Sequence, residues 1–140
     1  MRGQTTASIS RVSRPAPSPD ARIVRACRPN VLITGSQATI DVLMASLRPS
    51  LKRPLNYWSP NSPLPAPAAV ATLVIGDVAT LSFEQQRALM SWLDGATRGS
   101  TQVVSTSVIE LFPLVQRGMF LAALFYRLNT VRLDPPIPVG

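Results

Sequence analysis

Histidine is missing from the 140-residue chain, and cysteine occurs once, as Cys27. Without histidine there is no Ser-His-Asp or Cys-His nucleophile, and no ordinary side chain that titrates near neutrality to serve as general base. One cysteine cannot close an internal disulfide. No CxxC or Cys/His cluster is present to hold zinc, so no metal site is expected. This inventory fits a reducing cytoplasm. Aromatic residues are scarce, and none sits among the N-terminal arginines, where it would stack on bases. No apolar run approaches the roughly 18 residues that a spanning helix needs. The longest, Phe120 to Tyr126, is too short, so a soluble chain with no membrane contact is expected. The N-terminus also lacks the apolar stretch of a secretory signal.

Acidic residues are few as well, 7 against 14 basic ones, for a net charge of +7. The imbalance is concentrated at the start. Residues 1–29 hold Arg2, Arg11, Arg14, Arg22, Arg25 and Arg28 against Asp20 alone. Pro15, Pro17 and Pro19 alternate there among serines and threonines, a composition that buries too little apolar surface to order itself. Residues 1–22 are therefore expected to be disordered, with a helical turn or an edge strand at most between Ala21 and Cys27. Two readings of this leader stand: a solvated tail, or an arm that contacts nucleic acid non-specifically through its phosphates.

From Asn30 onward the pattern changes. Short apolar runs at Val31–Thr34 and Thr72–Ile75 read as strands, as do Gln102–Thr106 and Thr130–Leu133, and Pro54–Trp58 reads as another with its proline at the start. Helical spacing covers Thr39–Leu47, Phe83–Leu93 and Met119–Leu128, with Ser82 as N-cap of the second helix and Gly95 just beyond its end. The connection at 59–69 is studded with prolines. Strands alternating with helices of about ten residues indicate an α/β fold, a largely parallel sheet covered on both faces. The body spans 30–134, and 135–140 is a short tail.

Ligands of such sheets bind beyond the carboxyl ends of the strands. Three ends qualify: Thr34-Gly35, Ile75-Gly76-Asp77 and Thr106-Ser107-Val108. The segment Val31-Leu-Ile-Thr-Gly-Ser-Gln-Ala-Thr-Ile-Asp41 is similar to the strand and phosphate loop V-L-I-T-G-E-S-G-T-G-K of sigma-54-dependent transcription activators. Thr72-Leu-Val-Ile-Gly-Asp-Val-Ala-Thr-Leu81 resembles their Walker B segment T-L-F-L-D-E-I-x-x-L. Leu111 through Leu133 resembles D-L-x-x-x-V-x-x-G-x-F-R-x-D-L-Y-Y-R-L-N-V-x-x-L. The resemblance runs over about residues 30–136. It implies a three-layer P-loop NTPase core of the AAA+ kind, with five strands in the order 5-1-4-3-2, and ATP with magnesium as the family's ligands.

The departures from that pattern fall on the chemistry. The loop remnant is Gly35, Ser36, Gln37, Ala38, Thr39, Ile40 and Asp41; two family glycines are Ala38 and Ile40, and the phosphate-binding lysine is Asp41. A β-branched side chain disfavours the backbone that glycine supplies. At about 4 Å and an effective dielectric near 20, a unit charge pair is worth roughly 4 kcal/mol. Exchanging attraction for repulsion then costs on the order of 8 kcal/mol before screening, about the whole free energy of micromolar binding. Asp41 is read as a first-turn carboxylate that fills the vacant anion site. On this register, Asp41→Lys with Ile40→Gly is expected to improve phosphate binding.

By the same resemblance, the magnesium-holding aspartate is Gly76 and the catalytic glutamate is Asp77, otherwise a solvated strand-end acid. The polar sensor is Val108, with Ser107 beside it. The two arginine fingers are Leu121 and Arg127, the latter alternatively an ordinary salt-bridge arginine. Only residues 59–69 occupy the interval where the family carries its G-A-F-T-G-A loop, and a helical lid is expected to be absent. No catalytic residue and no cofactor are therefore expected. The expected activity is a non-hydrolysing interaction protein in transcription regulation, docking through residues 119–128 onto a protein partner such as an intact activator. The alternatives are a weak ATPase using Asp77 and a neighbour's Arg127, and a module tethered to nucleic acid by its leader.

Overall fold

The computed structural model describes residues 28–99 and 101–133. The disorder expected at 1–22, the element weighed at 21–27 and the tail at 135–140 lie outside those residues. Five strands form one sheet: β1 (Val31–Thr34), β2 (Leu55–Trp58), β3 (Thr72–Ile75), β4 (Gln102–Ser107) and β5 (Val131–Leu133). Their order is β2-β3-β4-β1-β5, and every neighbouring pair is parallel. This is the expected order, with the sheet parallel throughout.

The three central strands are buried at every position, which is why β1 and β3 read as nearly continuous apolar runs instead of alternating ones. Leu32, Leu73, Ile75 and Val103 face one side. There they pack against helices α2 (Phe83–Gly99), α3 (Phe112–Gln116) and α4 (Ala122–Leu128) through Leu89 and Leu93, Leu114 and Val115, and Leu124 and Leu128. Val31, Ile33, Val74 and Val104 face the other side and meet Ile40, Met44 and Leu47 of α1 (Gln37–Leu47). Each such side chain contributes about 1.5–3 kcal/mol by burial.

Ser82 caps α2 as expected, and reciprocally: the Gln85 N–H donates to Ser82 Oγ at 3.2 Å, and the Ser82 N–H donates to Gln85 Oε1 at 2.8 Å. The helix does not stop before Gly95 but runs through it to Gly99. A helical glycine costs only about 1 kcal/mol. Here the segment around Pro67 packs close by, with Pro67 Cγ 3.8 Å from where a Cβ would stand at Gly95. The helix expected from Met119 begins at Ala122, because the residues before it form a turn. Gly118 has φ 74, and the N–H groups of Met119 and Phe120 both donate back to the Leu114 carbonyl at 2.8 and 3.2 Å.

The proline-rich connection after β2 is pinned to the body through carbonyls, since its prolines have no N–H. Gln85 Nε2 donates to Pro60 O at 2.9 Å, Trp92 Nε1 to Pro65 O at 2.6 Å and Thr101 Oγ1 to Pro67 O at 3.3 Å. Arg28 and Pro29, within the segment read as leader, also join the body: Arg28 Nη2 donates to Ala71 O at 2.8 Å, and Pro29 O accepts from Gln102 Nε2 at 2.6 Å.

Candidate functional site

The carboxyl ends of β1, β3 and β4 converge through specific bonds. Gly35, at φ 155, donates its N–H to the Ser107 carbonyl at 3.2 Å, tying the end of β1 to β4. Ser36 is extended (φ −64, ψ 159) and caps α1: its Oγ accepts the Thr39 N–H at 3.2 Å and its carbonyl accepts the Ile40 N–H at 2.8 Å. Only Gly35 and Ser36 therefore separate strand from helix. Gln37, Ala38, Thr39, Ile40 and Asp41 are helical, and two of the amides that a phosphate cradle would use are already bonded.

This placement corrects two expectations. Ile40 is not a loop residue but a core residue, 3% exposed and packed with Met44 and Leu47. Asp41 is not in the first turn; it is the fifth residue of α1, exposed, and accepts a bond from Gln37 Nε2 at 2.9 Å. The helix-terminal anion site is served by Ser36 instead.

Gly76 is exposed and faces open space. Asp77 has a left-handed backbone, φ 51 and ψ 58. Its N–H donates to Thr106 Oγ1 at 3.0 Å, and its carbonyl accepts from the Thr80 N–H at 3.0 Å and from Thr80 Oγ1 at 2.8 Å. These bonds hold a conformation that costs a residue with a Cβ about 1 kcal/mol or more. Asp77 is half-buried and its Oδ1 is buried without a hydrogen-bond partner, so it is not the solvated strand-end acid expected. Asp77→Gly should stabilise the chain by about 1 kcal/mol, by removing both the strain and the unpartnered oxygen. Urea denaturation measures this, and a net loss of stability would mean that the carboxylate has a partner in solution.

At the sensor position, Val108 is exposed and Ser107 is fully buried. The Ser107 hydroxyl serves its own turn, donating to Ile109 O at 2.5 Å and accepting the Ile109 N–H at 3.3 Å. Arg127 lies at the other end of the strands, where Asn30 Nδ2 donates to its carbonyl at 2.9 Å. Its guanidinium pairs with Asp94 at 2.5 Å. The structure thus gathers the residues of 35–41, 76–77 and 107–108 at one end of the sheet and holds Arg127 at the opposite end.

Sequence reasoning placed Thr106 at a strand end but missed that its hydroxyl fixes the Asp77 backbone, although its even spacing from Val104 already placed it on the α1 side. It also missed a groove of ≈ 350 Å³ between α1 and β2–β3, whose lining includes Gln37, Asp41, Arg48, Tyr57, Gly76 and Thr106. Among the described residues, no group of three or more His, Cys, Asp or Glu is placed to hold a metal ion. No described helix is long and apolar enough to cross a membrane.

A family model described as the sigma-54 interaction domain matches residues 24–137. The chain belongs to that family. Its AAA+ core also matches solved structures. NtrX from Brucella abortus, in complex with ATP, aligns over 84% of this chain with TM-score 0.65 and 18% identity. DnaA from Aquifex aeolicus, bound to AMPPCP, aligns over 84% with TM-score 0.62 and 14% identity. At these identities the likeness is one of fold. The chain spans about a third of the NtrX structure, 34%, and 45% of the DnaA one. No curated protein sequence matches it.

Proposed function

We propose that this sigma-54 interaction domain acts in transcription regulation by protein–protein contact, without hydrolysing ATP. The observation that carries this reading is the start of α1 at Gln37 under a Ser36 cap. It turns the positions that resemble a phosphate loop into helix, with a buried Ile40 and a carboxylate at the lysine position. Backbone amides committed to the helix do not wrap a triphosphate, and Asp41 repels one. The contact surface is the segment around α4. Met119 and Tyr126 are exposed there, while Leu124, Phe125 and Leu128 anchor the helix to the core. Arg127 stands on this segment, paired with Asp94 and available to a partner that competes for it.

A single hydrolysis assay tests both halves. The chain alone should show no ATPase activity with magnesium, and adding it to an active sigma-54 activator should lower that activator's turnover as the ratio rises. Arg127→Ala should change the dose response. Turnover by the chain alone rejects the non-hydrolysing reading, and a mixture that behaves as the activator alone rejects the contact.

A further inference from the structure

The groove beside α1 carries an arrangement of charge for which the reading above has no use. Asp41 and Arg48 stand seven residues apart, two turns and about 10 Å along the helix axis, so both face the same side and both line the groove. Between them the floor is apolar, made of the buried Ile40, Met44 and Val74. Both charged residues are exposed, and among the described residues neither forms a salt bridge. Arg48 Nε donates to the Tyr57 hydroxyl at 3.0 Å, which orients the guanidinium and leaves its terminal nitrogens for another acceptor. The connection from β2 to β3 packs Leu64 and Val70 against the other face of the sheet. Tyr57 therefore remains 56% exposed at the open side of the groove.

We infer that this groove binds a short zwitterionic peptide, its ammonium group on Asp41 and its carboxylate on Arg48. An extended tripeptide spans about 10 Å at roughly 3.3 Å per residue, a length that matches the axial rise from Asp41 to Arg48. The volume of ≈ 350 Å³ falls within the range of about 300–1,000 Å³ in which small ligands are held. A single amino acid is too short to meet both ends. A polyphosphate is repelled at Asp41, and a polyamine at Arg48. This inference stands without the proposed function, because nothing in it depends on ATP.

The test is a titration of the full chain with tri-alanine, followed by amide chemical shifts. Shifts should saturate at residues 40–48, 57 and 74, with a dissociation constant in the millimolar range. N-acetylation of the peptide and amidation of its C-terminus should each weaken binding about threefold, the strength of an exposed ion pair. Asp41→Asn should weaken the free peptide equally and abolish the effect of acetylation. Arg48→Gln should do the same for amidation. Absence of shifts up to about 10 mM, a concentration that populates a millimolar complex, would overturn the inference. So would equal binding of blocked and free peptides, or an effect at only one of the two ends. Hydrolysis of ATP by the chain rejects the proposed function and, so long as ATP does not displace the peptide, leaves this inference standing.

Discussion

Ile40→Gly is expected to lower the unfolding free energy by about 4 kcal/mol, read from the shift of a urea transition. The side chain is 3% exposed and sits between α1 and the sheet with Met44, Leu47, Val31 and Val104. Removing a buried isoleucine down to its Cβ costs about 2–5 kcal/mol, and glycine in a helix interior adds about 1 more. Domains of this size have only about 5–15 kcal/mol in total, so a sizeable unfolded population should appear on mild heating. The same substitution on a phosphate loop would be close to neutral, since glycine is the family's residue there. A loss under about 1 kcal/mol would therefore return Ile40 to a loop and reopen the nucleotide site. It follows that Asp41→Lys with Ile40→Gly should not gain phosphate binding, contrary to the expectation from sequence. The first change acts on an exposed helical position and the second removes part of the core.

Gln86→Leu is expected to cost about 3 kcal/mol although it replaces a polar side chain by an apolar one of similar size. Gln86 is 1% exposed. Its Nε2 donates to Leu81 O at 3.1 Å and to Met119 O at 3.3 Å, and its Oε1 accepts the Leu121 N–H at 2.8 Å. It thereby fixes the residues that lead into α4 to the first turns of α2. Leucine leaves the Leu121 N–H and two carbonyls without that partner, the Leu81 carbonyl in a buried bond and the others in part-buried ones, and each buried group left unmade costs about 1–3 kcal/mol. Hydrogen exchange should show the Leu121 amide losing protection more than those of β1 and β4. Because the proposed contact surface follows directly from this turn, the variant should also lose its effect on an activator's ATPase while the sheet persists. Uniform loss of protection over the whole chain would assign Gln86 to global stability alone.

The strands were legible from composition alone. Val31–Thr34 and Thr72–Ile75 are apolar, β-branched runs that end at glycine, and both appear at those residues. The Ser82 cap was legible too, because a capping box is a contact between residues three apart. The parallel direction of the strands was legible in their alternation with helices, whereas their order came from family resemblance, which carries tertiary information that periodicity does not. The ends of α2 and α4 were less legible. Gly95 reads locally as a stop, and Met119 reads locally as helix. What overrides both is packing against residues far along the chain: Pro67 beside Gly95, and Gln86 bonded to Leu121 across 35 positions.

The candidate site divides along the same line. The residue types at the strand ends are plain in the chain, and the family resemblance set Asp41 against the phosphate-binding lysine and Gly76 against the first Walker B carboxylate. That the stretch from Gln37 to Asp41 is helix follows from packing against the sheet. Ser36 offers a cap to any helix beginning there, but the choice between loop and helix rests on whether Ile40 finds an apolar surface, and the sheet supplies it. The left-handed backbone of Asp77 is likewise set by Thr106, 29 residues away, whose hydroxyl accepts the Asp77 N–H. Local sequence fixes period and end signals because those depend on neighbours within a turn. The conformation of the site depends on hydrogen bonds and burial between segments that meet only when the sheet is assembled.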